Sequence, residues 1–154
     1  MRTLVGTSVA LAFAVPLARI FIQSGVNDAN LDSMPIVLAE SMADMTGSTW
    51  PMFAPMIGAM GAFFAGSNTI SNMLFSLFQF KVATSIGVST IVVVALQAVG
   101  GAAGNMICVH NIVAASATVG LQGKEGQLIR SVAVPLIYYL VFAGLLGLLF
   151  AWAG

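Results

Sequence analysis

The stretch "FFAGSNTISNMLF", residues 63–75, breaks an apolar run with three hydroxyl and two carboxamide side chains in six residues, just after Gly66. The apolar arms beside it, "WPMFAPMIGAMGAFFA" (50–65) and "MLFSLFQF" (73–80), are interrupted or short. Arms of about 10–15 residues reach only about 15–22 Å at 1.5 Å per residue, short of the roughly 30 Å hydrocarbon core of a bilayer. In a soluble protein such a break would be an ordinary loop. This chain has no such option: charged residues make up 6% of it, against 59% apolar residues, where a soluble domain carries about a quarter. With a mean hydropathy of +1.01, it reads as an all-α integral membrane protein.

Lipid offers no partner to a bare N–H or C=O, and each one left there costs several kcal/mol. Unwound backbone at membrane depth is therefore buried in protein or lines a wet cavity. Two half-helices meeting at a polar tip describe a re-entrant hairpin over 50–80, with Gly66 at the break. The second half-helix then presents N–H groups without intrahelical partners and the positive end of its dipole, an anion seat that needs no lysine. Asn68, Asn72, Ser76 and Gln79 recur at spacings of four, four and three, one polar stripe that needs a wet or protein-covered surface. The competing reading is close helix packing, in which small and polar residues are common. Seven consecutive break-type residues between short arms favour a substrate or ion site.

The remaining chain divides by the same logic. Residues 3–22 form a first span that imitates a signal peptide but runs on through Pro16 to the length of a crossing. The polar loop after it carries Asp28 and Asp32. Residues 35–46 are too short and acidic to span and read as an amphipathic helix at the interface, with Glu40 and Asp44 four apart. Residues 82–119 read as two spans or, in preference, as one span broken at "GGAAGN", where Gly100, Gly101 and Gly104 free the backbone and Asn105 caps a helix beginning at Met106. Residues 131–153 form the last span. Arg2, Lys124 and Arg130 fall on one side against Arg19 and Lys81 on the other, which places the Lys124–Arg130 loop in the cytoplasm.

Several functions are excluded. A net charge of zero without a basic run argues against nucleic acid. One cysteine, Cys108, excludes an internal disulfide and a Cys-based metal cluster. No HExxH or GxSxG occurs and no acidic pair lies within a clear span, so an enzyme is disfavoured. No cofactor and no metal is expected. Candidate proton acceptors are His110, which reads equally as a helix–helix hydrogen-bonding residue, and Glu40 and Asp44, if their face meets a water-filled cavity rather than the interface.

The blocks "GAMGAFFAGSNTISNMLFSLFQF" and "VGGAAGNMICVHNIVAASATVGLQGKEGQLIR" resemble the C-terminal part of the L-lactate permease family, proton-linked 2-hydroxy-monocarboxylate transporters of bacteria and archaea. The resemblance covers essentially the whole chain. It implies one half of an inverted-repeat transporter fold in the plasma membrane, working by secondary active transport without covalent chemistry. It also implies a small carboxylate held by Ser67, Asn68 and Thr69, with Asn72 and Asn105 next. The coupling ion would be a proton, with sodium not excluded. Family members are several times longer, so the expected partners include a missing N-terminal half or partner chain, and a homo-oligomer is possible. The alternative is a truncated or split half-subunit with no transport of its own. "NMICVHN" departs from the family pattern and leaves lactate, glycolate or another hydroxy acid open.

Overall fold

A computed structural model describes residues 12, 13, 16, 17 and 19–153, and the first span expected over 3–22 lies largely outside them. Among the described residues all regular structure is helical. After the helical residues 19–23 come α1 (Met34–Thr46), α2 (Trp50–Ala65), α3 (Asn68–Ile86), α4 (Thr90–Gly104), α5 (Val109–Thr118) and α6 (Glu125–Ala153).

Helices α2 and α3 form an antiparallel hairpin closed at Gly66 and Ser67. Gly66 adopts φ 67°, a left-handed conformation that glycine takes without a Cβ clash, and it ends α2 by returning its N–H to Ala62. Ser67 is extended and begins α3. The second arm is longer than the sequence reading placed it. It does not stop at Phe80 but runs through Lys81 to Ile86, where Gly87 at φ 71° closes it. At 19 residues α3 is about 28 Å long, and its polar residues keep it from being a uniformly apolar span. Residues 82–86 therefore belong to the hairpin, and the next helix starts at Thr90.

Helix α4 packs along the hairpin, and glycine sets the distance. A Cβ on Gly100 would lie 1.9 Å from the Pro55 carbonyl oxygen, one on Gly104 2.2 Å from that of Ala59, and one on Gly58 2.2 Å from that of Gln97. Gly100 and Gly104 stand four apart, the small-xxx-small spacing that lets membrane helices meet backbone to backbone. This corrects the reading of Gly100, Gly101 and Gly104 as a chain break: all three are helical, and their missing side chains serve contact with α2 and α3. The break comes after them, over 105–108, and α4 and α5 are bent by 42° across it. Asn105 is correspondingly not a helix-starting cap. It closes α4 with φ −60° and ψ −22°, while Cys108 precedes α5.

The main core joins Trp50, Ala54, Phe78, Val82, Val93 and Leu96, with Ala39 of α1 packed in. Trp50 meets Phe78 edge to face, ring centroids 5.5 Å apart. Helix α6 is the one helix among the described residues that is alone long and apolar enough to cross a membrane, and 22% of its apolar window is buried inside the fold. It starts six residues before the expected 131, at Glu125, whose carboxylate accepts from the Gly123 N–H at 2.9 Å and the Ser116 hydroxyl at 3.3 Å. Val134, Ile137, Tyr138, Leu149 and Phe150 point away from the protein, a surface suited to lipid rather than to water.

Candidate functional site

The hairpin tip gathers most of the polar residues singled out in the sequence. Ser67 is the N-cap of α3, and its hydroxyl oxygen accepts from the Ile70 N–H at 3.4 Å. The N–H groups of Asn68 and Thr69, in the first turn, have no carbonyl behind them in the helix. Asn68 is half-buried, and its Oδ1 accepts from Asn72 Nδ2 at 3.2 Å. That same Oδ1 lies 2.1 Å from where a Cβ on Gly101 would stand, so α4 leans directly on the tip. Thr69 is exposed. The Oδ1 atoms of Asn72 and Asn105 are buried and without a hydrogen-bond partner.

The segment after α4 folds back onto the same turn. His110 Nε2 sits 3.1 Å from the Gly66 carbonyl oxygen, and Nδ1 sits 3.1 Å from Cys108 Sγ. A carbonyl only accepts, so Nε2 carries the hydrogen, and in the neutral ring Nδ1 is left to accept the Cys108 S–H. Cys108 itself is 1% exposed. Asn111 Nδ2 donates to the Asn105 carbonyl at 3.1 Å, bracing the turn that carries the histidine. The two chain interruptions thus meet at Gly66.

Glu40 and Asp44 are not brought to the tip. Both are exposed on α1, whose Ala39 packs with Trp50, Phe78 and Val82, about three turns along α3 from Ser67. Among the described residues no group of three His, Cys, Asp or Glu side chains is arranged to hold a metal.

Below the tip runs a buried polar ladder. Trp50 Nε1–H donates to Gln79 Oε1 at 2.7 Å, and Gln79 Nε2 donates to the Ala54 carbonyl and to Gln97 Oε1, both at 3.1 Å. Gln97 Nε2 donates to Ser71 Oγ at 3.1 Å, and Ser71 donates to the Gly58 carbonyl at 2.8 Å. Ser71, Gln79 and Gln97 are fully buried. The expected stripe is therefore divided: Asn68 and Asn72 stay at the tip, while Gln79 turns inward. Trp50, Gln97 and Cys108 carried no role in the sequence reading. A lone glutamine within "VVVALQAVGG" was the available signal, because a polar side chain at membrane depth needs a partner.

Comparison with known proteins places these residues in a family context. Residues 1–153 match the family described as L-lactate permease. A putative L-lactate permease of Haemophilus influenzae is 42% identical over 113 residues, covering 73% of this chain and 21% of that protein. The L-lactate permease of Escherichia coli strain K12 is 41% identical over 102 residues, 66% of this chain and 18% of that protein. The glycolate permease GlcA of the same strain is 37% identical over 120 residues, 78% of this chain and 21% of that protein. The chain spans about a fifth of the length of the curated relatives it matches. No solved structure matches it significantly.

Proposed function

The chain belongs to the L-lactate permease family, whose members are membrane proteins, and on that footing we propose that it forms part of a proton-coupled permease for L-lactate, glycolate and related 2-hydroxy-monocarboxylates. The observation that carries the proposal is the tip: an N-capped helix start at Ser67, held against α4 and against His110. The first-turn N–H groups and the side chains of Ser67, Asn68 and Thr69 supply donors to a carboxylate, and the helix dipole supplies positive potential without a lysine. In this reading α2 and α3 are a re-entrant hairpin within one half of an inverted-repeat fold. The substrate crosses by alternating access, with no covalent step.

The proton belongs on His110. Of the three candidates it alone touches the tip, and its ring contacts Gly66, the residue that shapes the turn. Glu40 and Asp44 stand elsewhere on the fold. The Lys124–Arg130 segment, which leads into α6 and forms its first turns, faces the cytoplasm of a bacterium or archaeon. A second reading is favoured by the fraction of its relatives that the chain spans: it corresponds to about a fifth of such a permease rather than a half, and transport needs the remainder or a partner chain.

Uptake of radiolabelled L-lactate into cells or vesicles tests this, using the permease that contains this segment. Hydrogen bonds to a charged group contribute about 1.5–3 kcal/mol each, so replacing Ser67 and Asn68 together by alanine is expected to lower apparent affinity by at least about tenfold. Uptake equal to the parent's would remove the tip assignment. Uptake driven by a sodium gradient and indifferent to a pH gradient would replace the proton as coupling ion.

A further inference from the structure

We infer that Gln97 is a positioning residue for the tip, which it braces from α4 through a buried hydrogen-bond ladder. The ladder admits one hydrogen-bond polarity. At one end Trp50 N–H can only donate, which fixes Oε1 of Gln79 as its partner. Gln79 Nε2 then faces the Ala54 carbonyl and Gln97 Oε1, leaving Gln97 Nε2 for Ser71. At the other end the Gly58 carbonyl can only accept, so the Ser71 hydroxyl must point to it. Both fixed ends agree on the same direction, and each polar nitrogen and oxygen of these four side chains has a partner.

The ladder is tied to the tip by backbone. Ser71 N–H donates to the Ser67 carbonyl at 3.0 Å, the bond that closes the first turn of α3. Gln97 therefore reaches Ser67 through Ser71 without touching a substrate. It does so from the helix whose Gly100, Gly101 and Gly104 already meet Pro55, Asn68 and Ala59. Separating α4 from the hairpin would break both bonds that join them, Gln79 to Gln97 and Gln97 to Ser71, and leave the buried Gln97 carboxamide without its ladder partners. A movement that keeps the three helices together leaves all of these bonds intact. Fully satisfied buried networks of this kind specify one arrangement of the elements they join.

This deepens the transport reading and rests on it for the uptake measurement alone; amide exchange at the tip decides it independently. In the permease containing this segment, Gln97→Leu is compared with the combined variant Trp50→Phe, Gln79→Leu, Gln97→Leu, which removes the orphaned partners and restores an apolar contact. Gln97→Leu is expected to raise the half-saturating lactate concentration by about tenfold while maximal rate changes less than about threefold. It is also expected to speed hydrogen exchange of the Ile70–Asn72 amides, the first in α3 with hydrogen-bond partners, by about tenfold or more. The combined variant is expected to recover the melting temperature and neither tip readout. Unchanged exchange in Gln97→Leu would overturn the inference, as would recovery of the tip readouts together with the melting temperature, since the ladder would then merely hold the fold. A parent that does not transport removes the transport reading, and the exchange result still decides this one.

Discussion

Gly100→Ala is expected to unseat α4 from the hairpin, a large effect for one added methyl group. The new Cβ would stand 1.9 Å from the carbonyl oxygen of Pro55 and 2.6 Å from its Cα. These are backbone atoms of a helix and cannot turn aside like the end of a side chain. Relief requires α2 and α4 to part by about an ångström, which draws Gly58 and Gly104 out of contact as well. Overpacking a well-fitted interior typically costs about 1–3 kcal/mol, and here the ladder is stretched with it. A domain stable by about 5–15 kcal/mol loses a substantial share, and Gly100→Leu should leave little folded protein. The control is Gly126→Ala at the start of α6, where the backbone is helical and nothing stands within 4 Å of the added carbon. Thermal unfolding in detergent should rank Gly126→Ala well above Gly100→Ala. Equal melting temperatures would mean that the helices do not meet along this face.

The second large effect is expected at Gly66. Alanine there meets two obstacles of different kinds. The left-handed backbone, φ 67°, costs an L-residue about 1–2 kcal/mol. In addition, the new Cβ would fall 1.5 Å from His110 Cε1, so the ring must leave and its bond to the Gly66 carbonyl is lost. The two can be separated. In the pair Gly66→Ala with His110→Ala the steric conflict disappears and only the backbone cost remains, so the double variant should be more stable than Gly66→Ala alone. That non-additivity is the signature of direct contact between the two chain interruptions. Strict additivity of the two melting-temperature changes would show that His110 and Gly66 are independent. Uptake should stay low in both variants, because neither keeps the tip's shape with the histidine in place.

The particular residues show which parts of this fold can be read from sequence. The turn at Gly66–Ser67 was legible because glycine, a serine cap and two asparagines agree on one local structure. The second interruption was misplaced because glycine has two uses. The three glycines of "GGAAGN" suggest backbone freedom, whereas Gly100 and Gly104 at helical spacing equally signal close approach to a neighbouring helix, and only the fold reveals Pro55 and Ala59 as that neighbour. The hairpin read over 50–80 ends its second arm at Phe80, yet α3 continues for six more residues to Ile86, since the helix bonds needed there are local and Lys81 remains half-exposed. Gln97 was passed over because its partners, Ser71 and Gln79, lie 26 and 18 residues away. The contact of His110 with Gly66, 44 residues apart, likewise has no local trace. Contacts at such separations belong to packing.

The central claim, that the tip beginning at Ser67 faces water and receives a small acid, is tested most directly by a cysteine at the tip. Thr69 is exposed, and the native Cys108 is 1% exposed and paired with His110, so Thr69→Cys supplies an accessible thiol against a quiet background. The account predicts that a membrane-impermeant, water-borne thiol reagent labels Thr69→Cys and that added L-lactate slows the labelling. A thiol at this position that the reagent never reaches, or one whose labelling rate ignores lactate, would contradict it.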